Sequence, residues 1–372
     1  MSNVNCHITN EGMPPDFPHA VYEFLTDVYG IENVWLLEKI DRGYVNQSYE
    51  VGGQRQGKKV HHCLRCYHPL SDRNNIRFEH DLLKELARRR FPFSPRLVRA
   101  SGGTTISTIR FPMAGHVHTR CAALFEFIDG EDPYTWDNPP VDERVIAGCA
   151  RVLALYHGTI SGWESHVHQG SGGLLSLLHR LQDCLGSHAD QAGEGESVFD
   201  AFVHRHMGTI ADALDGLVDR FSGVDIDSWP VLAVHGDFHA GNLRFRAGEV
   251  AGLLDYDWAR MLPRTFDLGM ALMYFCTRWG DHRSAALDTS RATRFLEAYQ
   301  RSIEYADGIW PLGRDEHKFI TDFIRIGHLM MIAWGIEDYF TSRPDPEAYT
   351  AIVRRSFRAM AWLDAHPFRW TG

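Results

Sequence analysis

Val234-His235-Gly236-Asp237-Phe238-His239-Ala240-Gly241-Asn242, followed closely by Leu253-Leu254-Asp255-Tyr256-Asp257, is the stretch on which the reading of this chain turns. Each half lies beside an apolar run of strand type, Val231 to Val234 and Val250 to Leu254. The polar residues therefore fall where strands end and loops begin, which is where catalytic groups are commonly carried. Between the halves, Leu243 to Val250 has the pattern of a hairpin, with Ala247-Gly248-Glu249 as its turn.

The spacing has a chemical meaning. His235-x-Asp237 followed by Asn242 fits the phosphoryl-transfer template H-x-D-x-x-x-x-N. In that template the Asp accepts the proton of an attacking hydroxyl and the Asn side-chain oxygen holds a magnesium ion. Asp255, just past the hairpin, is placed to supply the second oxygen ligand that such an ion requires. Two other readings compete. Histidines and aspartates near strand ends are often plain loop residues, and His235, Asp237, His239 and Asp255 suit a hydrolytic zinc or iron centre. The hydrolytic reading leaves Asn242 and the second loop unexplained.

His235-Gly236-Asp237-Phe238-His239-Ala240-Gly241-Asn242 resembles the catalytic loop of the aminoglycoside phosphotransferase, choline kinase and homoserine kinase superfamily. Asp255-Tyr256-Asp257 resembles that superfamily's metal-binding loop, and Pro263-Arg264-Thr265-Phe266-Asp267-Leu268 the segment after it. The resemblance runs in motif order from about Trp35 to Phe275. It implies an α+β, protein-kinase-like two-lobed fold, with a small antiparallel-sheet lobe over 1–128 and a larger, mainly helical lobe over 129–372. It also implies ATP and Mg2+ as cofactors and a small-molecule hydroxyl as acceptor.

Composition agrees with two such lobes. A chain of 372 residues is too long for one typical domain. With 38 basic and 48 acidic residues the net charge is −10, which argues against nucleic acid as a bulk partner and permits a cationic substrate. No signal-peptide pattern stands at Met1 and no apolar run is read as long enough to span a bilayer, so a cytoplasmic protein without a membrane partner is expected. Oligomeric state is left open. The seven scattered cysteines suggest reduced thiols. Cys63-Leu64-Arg65-Cys66 lies within a strand pattern, where residues three apart face opposite ways.

Outward from the centre, Pro18 to Tyr29 has helical spacing. Val34 to Ile40 and Val45 to Val51 are two expected strands joined by Asp41-Arg42-Gly43-Tyr44; Gly43 and Asn46 resemble residues of the phosphate-covering turn in the relatives. Gly52-Gly53-Gln54-Arg55-Gln56-Gly57-Lys58-Lys59 has glycines and a lysine at P-loop spacing. Lys59 nevertheless replaces the hydroxyl that would ligate magnesium and no helix follows, so a hairpin is expected. It leads into the strand Val60 to Tyr67.

Arg65 lies in that strand, where the template has a cation for the nucleotide phosphates, and a helix from Asp72 to Arg90 follows. Ile76, Glu79, Leu83 and Leu86 share one face. A carboxylate on an apolar stripe needs a partner, and Arg65 is the candidate. Arginine pairs bidentately with carboxylate and phosphate, which makes it workable where lysine is common. Thr104 to Phe111 and Arg120 to Ile128 are further strands. The segment Leu124 to Gly130 resembles the hinge whose backbone holds adenine, with Glu126 and Ile128 as the contact positions.

From Val141 the pattern turns helical. Val145, Cys149, Val152, Leu153 and Tyr156 form an apolar face ended by His157, read as packing. Helices follow to Ser228, with breaks at Gly170 to Gly173 and near Asp190 to Ser197. Asp267 is expected as the N-cap of an apolar helix Leu268 to Phe275, and by resemblance it holds the catalytic-loop backbone. Three more helices are expected at Ala292 to Tyr305, Glu316 to Tyr339 and Pro346 to Ala365. Glu337 and Asp338 end the second and are candidate substrate contacts; Asp257 and His239 are candidates for a second metal or substrate contact. A protein Ser/Thr kinase and a nucleotide-binding pseudokinase scaffold are the alternative functions.

Overall fold

In the computed structural model, which describes residues 17–40, 46–113, 116–167, 172–281, 283–304, 308–342 and 344–370, the chain divides into two units, Met1–Asp129 and Gly130–Gly372. The N-terminal unit begins with helix α1 (Phe17–Tyr29), then β1 (Ile31–Ile40), β2 (Gln47–Arg55) and β3 (Lys58–Cys66). Helix α2 (Arg73–Arg88), β4 (Leu97–Val98), β5 (Ser107–Met113) and β6 (His116–Glu126) complete it. The strands form one antiparallel sheet in the order β1-β2-β3-β6-β4, with β5 also paired to β6.

Strand alternation decides what this sheet presents. Along β3, Leu64 and Cys66 are buried in a core with Val21, Leu25 and Tyr29 of α1 and with Tyr49, Ile109 and Leu124. Arg65, between them, points to the opposite face, as the two-residue period requires. The hairpin joining β2 to β3 turns on Gln56 (φ 51°) and Gly57 (φ 74°), both left-handed, the geometry of a two-residue hairpin loop. The P-loop-like glycines thus belong to a sheet. At Gly52 a Cβ would lie 2.6 Å from Nε1 of Trp35, so close packing in the sheet is what calls for glycine there.

The C-terminal unit opens with α3 (Glu143–Ile160), α4 (Leu174–Glu194) and α5 (Val198–Ser222). Then come β7 (Val231–Val234), β8 (Leu243–Arg246), β9 (Glu249–Leu253) and β10 (Arg260–Pro263). Helices α6 (Thr265–Cys276), α7 (Thr289–Ile303), α8 (Arg314–Ser342) and α9 (Pro346–Ala365) follow. Strands β8 and β9 form the expected hairpin, while β7 pairs with β10, antiparallel, from Val231↔Pro263 to Val234↔Arg260. Every residue of α6 is buried, and α6 packs against α8.

Four sequence expectations are corrected or fall elsewhere. Asp267 lies inside the first turn of α6; the residue before that helix is Arg264, which makes no side-chain cap bond. Glu337 and Asp338 do not end their helix, because α8 runs on to Ser342. An apolar stretch long enough to cross a bilayer does exist: α8 is 29 residues long with a mean hydropathy of 1.3 over its most apolar part. Most of that part is buried, as expected of a core helix that is hydrophobic nearly all round. The turn Asp41 to Tyr44, including Gly43, lies outside the described residues.

Candidate active site

The loop after β7 is anchored by one buried carboxylate. Asp267 of α6 accepts the backbone N–H of His235 at 2.7 Å and that of Gly236 at 2.8 Å. Its Oδ2 also lies 3.0 Å from Nε2 of His157 on α3, whose Nδ1 is 2.7 Å from the Tyr299 hydroxyl on α7. Burial pushes the His157 ring below the usual histidine range although Asp267 acts in the opposite sense. His157 thus joins three helices to the loop. Gly236 has φ 84°, and a Cβ there would meet the Trp258 carbonyl oxygen at 2.4 Å, so the anchored loop requires glycine.

His235 sits behind the loop with both ring nitrogens used. Its Nδ1 receives the Asp237 N–H at 3.3 Å, which leaves Nε2 as the donor to the Leu254 carbonyl at 2.9 Å. Burial lowers its proton affinity despite the carboxylates nearby. A neutral ring tied twice to backbone is unsuited to ligating a metal. The second loop is tied to the first again where Leu254 N–H donates to the Asn242 carbonyl at 2.8 Å.

Asp237 is the best-held group of the site. Tyr274 Oη of α6 donates to its Oδ1 at 2.9 Å. The Asn242 amide donates to its Oδ2 at 3.0 Å and to its backbone carbonyl at 2.9 Å. His239 Nε2 lies 3.3 Å from the same Oδ2, while its Nδ1 receives the Gly241 N–H at 3.0 Å. Burial raises the proton affinity of Asp237, but His239, Tyr274 and His235 outweigh it and hold the carboxyl below the ordinary carboxylate range. For Tyr274, burial and the Asp237 charge act together and push the phenol well above its usual value.

Because both amide hydrogens of Asn242 are spent on Asp237, its Oδ1 is turned away and is the ligand-type atom. Asp255 follows directly on Leu254, with φ 66°, a left-handed backbone conformation found at functional turns. Tyr256 is buried against the His235 ring at 4.8 Å, while its neighbours Asp255 and Asp257 are partly buried. Asp257 is partly buried near Arg260, whose guanidinium is lowered to about 10 by burial and Arg180 while Asp257 acts against them. Among the described residues, no group of three or more His, Cys, Asp or Glu is arranged to hold a metal. An amide oxygen with a carboxylate is a different donor set, the hard-oxygen kind that magnesium takes.

In the N-terminal unit, Arg65 Nη1 lies 3.1 Å from Glu79 Oε1, and Glu79 is 2% exposed. The Tyr67 hydroxyl donates to Oε2 at 2.8 Å and lies 3.0 Å from His80 Nε2, whose Nδ1 is 2.9 Å from the Thr105 hydroxyl. The expected pair is therefore part of a buried polar chain. Asn46 accepts the His68 N–H at 3.0 Å on its side-chain oxygen. Glu126 is exposed and gives its N–H to the Arg96 carbonyl at 2.8 Å; Ile128 lies beyond the end of β6.

The remaining acidic candidates separate from the catalytic loop. Asp338 accepts from the Tyr349 hydroxyl and from Ser342 at 3.1 Å, contacts within the α8–α9 pair. Glu337 is exposed and lies 3.9 Å from the Cys184 sulfur on α4. Among the described residues, neither forms a hydrogen bond or ion pair with the catalytic loop. Tyr274 and Tyr67 carried no sequence signal, since Tyr274 is one aromatic within an apolar run, Tyr67 ends a strand of mixed residues, and only the fold sets each beside a carboxylate.

The profile of the phosphotransferase enzyme family matches residues 37–306. A homoserine kinase of Polaromonas naphthalenivorans (strain CJ2) is 36% identical over 148 residues, which cover 38% of this chain and 42% of that protein. The chain thus spans less than half the length of this relative. A homoserine kinase of Methylobacillus flagellatus is 23% identical over 298 residues, 77% of this chain and 80% of that protein. Among solved structures, the amicoumacin kinase hAmiN, in complex with AMP-PNP and Ca2+, superposes with a TM-score of 0.67 at 14% identity, over 96% of this chain and 98% of that one. The ethanolamine kinase of Plasmodium vivax gives 0.58 at 12% identity, over 92% and 87%. At these identities the structural likeness establishes a shared kinase-like fold.

Proposed function

We propose that this chain, which belongs to the phosphotransferase enzyme family, transfers the γ-phosphoryl group of ATP to a hydroxyl of a small molecule. The observation that carries this reading is the Asp237 carboxylate, clamped by Tyr274 and Asn242 on a loop that Asp267 fixes from behind. A carboxylate aimed in this way orients an acceptor hydroxyl and takes its proton as the new O–P bond forms. Its lowered proton affinity suits a late transfer, in which positioning contributes more than base strength.

Asn242 Oδ1 and Asp255 fit magnesium in donor chemistry and would hold it, and His235 sets the register of the loop between them. When bound, the ion neutralises charge on the phosphates. Arg65, steadied by Glu79 and Tyr67, contributes the phosphate-facing cation in this reading, and the backbone at Glu126 and Ile128 the adenine contacts. By their resemblance to the relatives' residues, Gly43 and Asn46 are assigned to the phosphate-covering turn in this reading. Asp257 and His239 border the acceptor side. Relatives named as homoserine and ethanolamine kinases support an amino acid or amino alcohol as acceptor, with sugars and aminoglycosides as the wider class.

The test is ADP release from MgATP across homoserine, ethanolamine, choline, aminoglycosides and a generic protein, with Asp237→Asn alongside. An acceptor-dependent rate that falls by about 10²- to 10⁴-fold in the variant is expected. Radiolabel entering protein would replace the small-molecule acceptor by a protein one. MgATP binding without transfer to any acceptor would leave a scaffold.

A further inference from the structure

A carboxylate offers about four lone-pair positions. At Asp237, Oδ2 faces two donors, Asn242 Nδ2 at 3.0 Å and His239 Nε2 at 3.3 Å. Oδ1 faces one, the Tyr274 hydroxyl at 2.9 Å. Among the described residues the remaining position is therefore on Oδ1, next to the Tyr274 oxygen. Tyr274 is itself fixed. Its ring lies 4.8 Å from that of His239, its carbonyl accepts the Trp279 indole N–H at 2.9 Å, and it is 7% exposed.

We infer that Tyr274 is a positioning residue of the transfer reaction: its hydroxyl sets the plane of the Asp237 carboxylate so that the acceptor hydroxyl docks on Oδ1, beside Tyr274 Oη. This rests on the phosphotransfer reading above. In the step, the acceptor O–H proton moves to Asp237 Oδ1 as the acceptor oxygen bonds to the γ-phosphorus. The bond from that phosphorus to the bridging oxygen breaks, and ADP leaves with its electron pair. Tyr274 keeps its proton throughout, because its phenol is held far above the neutral range. With the tyrosine hydroxyl removed, the carboxylate is held through Oδ2 alone, by Asn242 and His239, and the docking oxygen Oδ1 loses the donor that fixes it.

Tyr274→Phe keeps the ring and its packing and removes only the donor. The expected result is a kcat lower by on the order of tenfold to a hundredfold, with the KM for ATP unchanged. A loss confined to stability, or a wild-type kcat, overturns the inference. A second measurement needs no turnover. In protein labelled at the tyrosine 13Cζ, the resonance assigned by its loss in Tyr274→Phe must move in Asp237→Asn, and an unmoved resonance also overturns it. The two readings fail separately. A shifted resonance in a wild type that transfers no phosphoryl group sinks the phosphotransfer reading, whereas a transferring wild type whose Tyr274→Phe variant keeps full kcat sinks only the role of Tyr274.

Discussion

Asp267 shows how much one buried side chain can organise. Its two oxygens take the N–H groups of His235 and Gly236 and reach Nε2 of His157, so a loop and a helix share one acceptor. Replacing it with alanine strands these buried donors, each at roughly 1–3 kcal/mol. Asp267→Ala should therefore lose about 3 kcal/mol or more in urea unfolding. A wild-type midpoint would show that water or a shifted loop replaces the carboxylate without cost. The cap reading put Asp267 one turn too early, because an aspartate before an apolar run is a cap signal, while the hold on the catalytic-loop backbone expected by resemblance is present. Its true partners lie 32 and 31 positions upstream. The same distance in sequence hides Tyr274, whereas Asp237, Asn242 and Asp255 stand out as candidates because their spacing is short and local.

Elements were legible where a period had room to repeat. Helix α2 shows it: Asp72 caps it by accepting the Asn74 N–H at 2.8 Å, and Ile76, Glu79, Leu83 and Leu86 all lie buried on the expected face. Asp72→Ala should cost about 1 kcal/mol of stability. The cap is exposed and lies about two helical turns before Glu79, so guanidinium unfolding should report the loss while ATP affinity is kept. A fall in ATP affinity matching the stability loss would mean that the Arg65–Glu79 contact depends on the first turn of the helix. Strands β4, two residues long, and β10, four residues ending in Pro263, were not legible, since neither holds enough alternation to register. Yet β10 pairs with β7 and so closes the base of the catalytic loop. Helix α8 was underestimated for the opposite reason: its buried faces leave little contrast for a period to show.

Across the whole chain, burial has neutralised histidines in both units. Burial, with Arg55 and His61, lowers His62 to about 4; burial, with Lys84 and Arg65, lowers His80 to about 3; burial alone takes His328 to about 3. In the unfolded chain these rings titrate near 6.5. Below about pH 6.5 the unfolded state thus binds protons that the folded state refuses, and stability falls as the pH drops toward 4 and then 3. Carboxylates enter later. Glu85, lowered to about 2 chiefly by its hydrogen bond from Arg88, loses its contribution only below the ordinary carboxylate range. Between pH 6.5 and 5 the histidines therefore carry the slope, at no more than about 2 kcal/mol each. The unfolding midpoint in urea should be lower at pH 5 than at pH 7. His328 packs on Trp279 with rings 5.8 Å apart, and its Nδ1 has no hydrogen-bond partner among the described residues. His328→Leu should therefore shrink the difference between the two pH values. An unchanged difference would place the acid-sensitive protons on the other buried histidines, His62 and His80 or His157 and His235, and His62→Leu would measure the share that His62 carries.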